Sequence, residues 1–168
     1  WIKYLIKLMI TEKQKLFLRL KIVEGKKYDE IQEILDKSRK TLGFWWKDLK
    51  AESNALRIVV DKWKKKCPEI DFDKFENWFE NTIRECHYCK VTESKTNQLW
   101  VKYPDLTKRK RGRTLEIERL EPNKHYSETE NLVFACYWCN NAKTDTFSEK
   151  EFMKVGKVIN EIWTNRLK

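Results

Sequence analysis

The stretch TLEIERLEPNKHYSETENLVFACYWCNNAKTDTFS, residues 114–148, decides how this chain is read. It opens on alternating apolar and acidic residues, Leu115-Glu116-Ile117-Glu118, a strand pattern in which Glu116 and Glu118 share one face. It ends on Cys136-Tyr137-Trp138-Cys139 followed by Asn140. A second pair, Cys86-His87-Tyr88-Cys89, lies upstream, and 46 residues separate the two.

Two Cys-x-x-Cys pairs supply the four soft ligands that tetrahedral zinc takes. A thioredoxin-like redox site needs one such pair and leaves the other unexplained. The expectation is one structural zinc held by Cys86, Cys89, Cys136 and Cys139. With four thiolates its shell is closed, so it is no catalytic metal. His87 lies inside the first pair and reads as spare, and Cys67 as a bystander thiol.

Residues 84–148 resemble the HNH endonuclease superfamily, whose fold is a β-hairpin and helix around one catalytic metal. The likeness rests on CHYC, on the acidic strand with Glu118, on Asn131-Leu132, on Cys136 and Cys139 with Asn140 beside them, and on Lys143 one helical turn further. It implies hydrolysis of DNA phosphodiesters with magnesium or manganese held by Glu118 and Asn140. Both are hard oxygen ligands. It makes Asn131 the brace of the catalytic loop.

One position departs from the family pattern. Arg119 stands where the family carries its general-base histidine, and a guanidinium stays protonated at any working pH. Arg119 can clamp a phosphate instead. His125 is the first substitute as base, with Tyr126 and Glu116 behind it. Some phage-like members share this acid–Arg pattern with a later Tyr. Lys143 shares a helix face with Asn140 and reads as a phosphate contact. The alternative is a zinc-containing DNA-binding protein that kept the scaffold and lost the base.

Working outward, Lys108-Arg109-Lys110-Arg111-Gly112-Arg113 puts five positive charges in six residues just before the strand. That run suits phosphate contact. The whole chain carries +10 across 168 residues, which points to a polyanionic partner. DNA is the reading taken here; RNA stays open, because charge and aromatics serve either polymer. At 40% apolar, with 8 Trp and 8 Phe, the chain has enough to build a core.

Upstream, residues 11–24 read as a helix with Leu16, Leu18, Leu20 and Ile22 inward, closed by Gly25. A second helix spans 28–35, with Ile31, Ile34 and Leu35 on one face. Asp36-Lys37 turn the chain, and Ser38 caps a third helix to about Leu49, with Leu42, Trp45 or Trp46, and Leu49 inward. This segment resembles the helix-turn-helix of small bacterial DNA-binding domains, which implies that Arg39, Lys40, Gly43, Phe44 and Lys47 face outward. Further helices are expected at 56–66, from Asp71 or Asp73 with Phe72, Phe75, Trp78, Phe79 and Ile83 inward, and from Ser148 with Phe152, Val155, Val158, Ile159 and Ile162 packing back.

The expected fold class is α+β. A helical, helix-turn-helix-like domain over 1–66 precedes a zinc-stabilised ββα-metal domain over 67–168, flanked by helices. Residues 1–10 are apolar but broken by Lys3 and Lys7, short of the roughly 20 apolar residues of a membrane span. They read as a short packing helix, and the chain as intracellular, with a cytoplasmic location.

Overall fold

The computed structural model describes residues 10–168. The helix expected over residues 1–10 therefore falls outside it, apart from Ile10. Among the described residues the architecture is helix-rich α+β, with eight α-helices and one two-stranded antiparallel sheet. The chain forms two compact units, 1–64 and 65–168.

The first unit starts at helix α1 (Glu12–Leu18), closed by a reciprocal cap. The Gln14 amide N–H donates to Thr11 Oγ1 at 3.3 Å, and the Thr11 N–H donates to Gln14 Oε1 at 2.9 Å. The helix loosens into a π-helical turn, Arg19–Val23, and Gly25 at φ 70° ends it. Helix α2 (Tyr28–Leu35) stops at Asp36, left-handed at φ 50°, and α3 (Arg39–Asp48) begins behind Ser38. Ser38 Oγ accepts from the Thr41 N–H at 3.2 Å. Helix α4 (Lys50–Lys66) follows and crosses the boundary between the units in its last turn.

The core of this unit is Phe17, Leu18, Leu20, Ile31, Leu35, Leu42 and Leu49, with Tyr28, Trp45, Trp46 and Leu56 packed against it. Two expected core positions are exposed, Leu16 and Ile34. Residues two apart on a helix stand about 200° apart, so Leu16, Leu18, Leu20 and Ile22 cannot all share a face. Phe17 takes the place given to Leu16 and is fully buried.

The second unit begins with Cys67 and a turn closed by the Ile70 N–H on the Cys67 carbonyl at 3.1 Å. Asp71 caps α5 (Phe72–Asn81), which buries Phe72, Phe75 and Phe79. Ile83 lies past the helix end and is exposed, a correction to its expected core role. Helix α6 (Glu93–Lys102), capped by Thr92, was not anticipated and buries Thr96, Leu99 and Trp100.

Strand β1 (Glu116–Arg119) pairs with β2 (Leu132–Ala135), with Glu116 opposite Ala135 and Glu118 opposite Val133. Helix α7 (Tyr137–Lys143) follows β2 at once and packs on β1, so the chain order is ββα. Helix α8 (Glu149–Leu167), with a Ser148 capping box, closes the unit. It packs by Phe152, Gly156 and Trp163, while Val155, Val158 and Ile162 face out. The reason is Gly156: a Cβ there would stand 2.6 Å from the Tyr88 carbonyl oxygen. The glycine is the contact point of the helix, and that turns the branched residues outward.

Candidate metal centre and polar cluster

The two Cys-x-x-Cys pairs meet in the second unit. Their four sulfurs lie within 4.8 Å of one another, and all four residues are buried. Zinc–sulfur bonds of about 2.3 Å set tetrahedral sulfur–sulfur edges of about 3.8 Å. Cys89 and Cys136 stand at 3.6 Å. Each pair is folded as a knuckle. In the first, the Cys86 N–H donates to the Val91 carbonyl and the Lys90 N–H to the Cys86 carbonyl, with Lys90 left-handed at φ 55°. In the second, Cys136 caps α7, its Sγ accepting from the Cys139 N–H at 3.4 Å.

The site is tied into the unit from outside. Asn160 on α8 donates to the Cys89 carbonyl at 2.5 Å, and His87 Nε2 pairs with Glu149 at 2.6 Å. His87 thus points away from the sulfurs. Four thiolates so close need a cation to coexist, and the arrangement fits structural zinc. Among the described residues, no other group of three or more His, Cys, Asp or Glu side chains converges as a possible metal site.

Beside this centre, β1 and α7 assemble a polar cluster. Glu118 is 7% exposed, and its Oε1 accepts from the Arg119 N–H at 2.7 Å. Asn140 Nδ2 donates to Glu116, its partner in the structure rather than Glu118. The pairing follows from strand parity, which puts both carboxylates on one face of β1. The Glu118 carboxylate is also felt by Tyr88, whose phenol is raised by burial first and by that charge second.

Lys143 departs most from its expected place. It is 0% exposed, and its Nζ donates to the Arg119 carbonyl at 3.3 Å. An enclosed ammonium bound to a main-chain oxygen is out of reach of a phosphate, so it braces the end of β1. The same carbonyl receives the Tyr88 hydroxyl at 3.5 Å.

The Arg119 guanidinium lies over the Tyr126 ring at 4.8 Å. It donates to Asp145 at 2.7 Å and to the Lys124 carbonyl at 3.3 Å. Its Nε is buried without an acceptor. Lys66 also meets this phenol, 3.5 Å from its oxygen and 5.1 Å from the ring centre. His125 is exposed.

Asn131 is buried behind the loop that links the strands. Its Oδ1 accepts from the Glu121 N–H at 2.9 Å and its Nδ2 donates to the Glu121 carbonyl at 3.4 Å. One amide thus closes both main-chain groups of a single residue.

The basic run is an ordered loop. Trp100 Nε1 donates to the Gly112 carbonyl at 3.3 Å, and Thr107 donates to that of Arg111 at 3.1 Å. Arg113 stacks 4.3 Å from the Trp100 ring centre. Gly112, at φ 95°, sits against Tyr137, where a Cβ would stand 3.0 Å from the Tyr137 Cβ. Lys108, Arg109, Lys110, Arg111 and Arg113 are all exposed.

No family model matches this chain, and no curated protein does. Among solved structures, the rare-cutting HNH restriction endonuclease PacI is similar to it over 72% of this chain and 78% of that one. The identity is 22% and the TM-score 0.48. A likeness of that size carries no residue role and no activity across.

In the first unit, Arg39, Lys40 and Lys47 are exposed on α3. Arg39 is partly engaged, 3.1 Å from Asp29 and 5.8 Å from the Tyr28 ring centre. No described helix is long and apolar enough to cross a membrane.

Proposed function

We propose that the second unit is a metal-dependent DNA endonuclease and that the first unit supplies DNA affinity. The observation that carries this reading is the Arg119 Nε, a buried donor without an acceptor on a guanidinium that Asp145 and the Lys124 carbonyl hold at the end of the acidic strand. Leaving such a donor unpaired costs about 1–3 kcal/mol. The Arg119 side chain as a whole is 20% exposed, and a phosphate oxygen that displaces Asp145 binds the guanidinium in charge-assisted geometry and lets it turn to use its Nε.

Glu118 and Asn140 offer a carboxylate and an amide oxygen. Their hardness suits magnesium or manganese, and the Asn140 Nδ2 bond to Glu116 leaves its Oδ1 as the group to offer a cation. When bound, such a cation supplies charge for the phosphate and the leaving oxygen. Arg119 binds and orients the scissile phosphate. Asn131 holds the loop carrying the base, and Lys143 and Tyr88 hold the Arg119 main chain in register.

The base lies on that loop. His125 is exposed to water, whereas Tyr126 lies against Arg119 and Lys66, where the phosphate is to be held. The contacts favour Tyr126 over His125. The exposed basic loop, Lys108 to Arg113, extends the phosphate-binding surface.

A second reading has one observation of its own. Asp145 pairs with Arg119 at 2.7 Å and so competes with a phosphate for the guanidinium. Plasmid nicking with magnesium or manganese separates the two. Cleavage lost in Glu118→Ala and in Tyr126→Phe but kept in His125→Ala supports the nuclease with Tyr126 as base. Loss in His125→Ala instead returns the role to histidine. Retarded but uncut plasmid with either metal establishes the binding protein.

A further inference from the structure

Helix α3 presents two opposite stripes. Inward are Leu42, Trp45 and Leu49, part of a network in which Phe17 meets Trp45 at 5.8 Å and Trp46 at 6.3 Å between ring centres. Outward are Lys40, Phe44 and Lys47, spaced i, i+4, i+7 on one face. Phe44 is 62% exposed. It borders a shallow groove of about 350 Å³ lined also by Trp45, Lys47 and Asp48.

The stripe has a direction. Arg39, Lys40 and the free N–H groups of the first turn put positive charge at its N-terminal end. Asp48 puts negative charge one turn past Phe44. An anionic partner therefore approaches the N-terminal end first. A phenyl ring has no donor or acceptor. Of the groups the base pairs show in the major groove, only the thymine C5-methyl is apolar.

We propose that Phe44 is a specificity residue that packs on the methyl group of a thymine, with Lys40 and Lys47 on the flanking phosphates. This rests on the reading of the first unit as DNA-binding and adds to it a base preference. Lysines on phosphate bind every sequence alike. The aromatic between them makes the contact depend on sequence.

The test uses the full chain with no magnesium or manganese, so that duplexes stay whole. Binding sites are first selected from a random duplex library. Each thymine of the selected site is then replaced by deoxyuridine, which removes the methyl and keeps the pairing. Wild type is expected to lose about fourfold in affinity at one position, the worth of one buried methyl-sized group. Phe44→Ala should bind the thymine and uracil duplexes equally, and Phe44→Leu should keep part of the difference.

Discrimination that survives in Phe44→Ala overturns the proposal, as does a selection that returns no thymine. So does a wild-type dimer that Phe44→Ala converts to monomer with DNA affinity unchanged, since the stripe then holds a second copy. If Lys40→Ala and Lys47→Ala leave affinity and salt dependence intact, the first unit does not bind DNA at all, and both readings fall together.

Discussion

Each of the two units of this chain has an apolar core, and they differ in what supplements it. The first is closed by seven buried apolar side chains drawn from four helical segments and a loop position. The second hangs two four-residue strands and a seven-residue helix between two cysteine knuckles. Elements so short do not hold by propensity. Their geometry comes from burial of Ile117, Leu132, Val133 and Phe134, the last against Trp78 and Phe79, from a cysteine cluster that fits zinc, and from amides and ammonium groups bonded to main chain. The difference matters for function, because the second unit adds to its apolar core of Phe75, Phe79, Leu99, Trp100, Phe134 and Phe152 a cysteine cluster and a set of polar braces around Glu118 and Arg119.

The comparison breaks most visibly when zinc is removed. Cys136→Ser, or chelation, should unfold the second unit, because structural zinc contributes on the order of 10 kcal/mol. Circular dichroism should retain the helical signal of α1 to α3 while the tryptophan environment around Trp138 and Trp163 is lost. One zinc per chain should be measured in wild type. An intact second unit without zinc sinks this account of what holds it.

Leu42→Ala strikes the other unit. Leu42 is fully buried in the apolar core, so its truncation should cost about 2–5 kcal/mol. Zinc content should stay at one per chain. Loss of zinc in this variant would show that the units do not fold separately.

Within the second unit, Asn131→Ala removes both bonds to Glu121 and leaves the Glu121 N–H without that acceptor, while the Glu121 carbonyl keeps the Lys124 N–H at 3.2 Å. The expected destabilisation is about 1–3 kcal/mol. Nicking should fall further than stability does, because the loop beyond Glu121 carries His125 and Tyr126. Equal falls in both would reduce Asn131 to a scaffold residue.

These contrasts also explain what the sequence disclosed. The zinc ligands were legible because ligand spacing is a local property. The caps at Thr11, Ser38, Asp71 and Ser148 close helices in the structure, and Ser38 and Ser148 stood out from sequence for the same reason. The reading of Asn131 came through the family likeness, and in the structure its amide bonds both main-chain groups of Glu121. What failed depended on neighbours. Lys143 looked like a surface cation because its partner, the Arg119 carbonyl, is 24 residues away and on another element. Asn140 chose Glu116 over Glu118, a choice set by the docking of α7 on β1. The outward turn of Val155, Val158 and Ile162 follows from Tyr88 behind Gly156, which no periodicity reveals. Tyr126 was placed behind His125 on acid–base chemistry alone; in the structure Tyr126 contacts Arg119 and Lys66 while His125 is exposed.

The smallest expected effect concerns the fifth cysteine. Cys67 belongs to the second unit but not to its metal centre, and it is fully buried. Burial pushes its thiol from 9.0 up to about 11, with Lys66 pulling weakly the other way. The folded state thus keeps this proton longer than the unfolded chain does. Its contribution to stability is fully present below pH 9.0 and is lost as pH rises toward about 11. The advantage of wild type over Cys67→Ala in urea midpoint should therefore be flat below that window and shrink across it. Other tyrosines and lysines titrate there too, but they are common to both proteins and cancel in the difference. In native protein below the window, iodoacetamide should label Cys67 far more slowly than in urea, because the thiolate is the nucleophile. A difference that stays flat to the top of the window, or equal labelling in both states, would place Cys67 at the surface and end this reading of it as a packed, inert thiol.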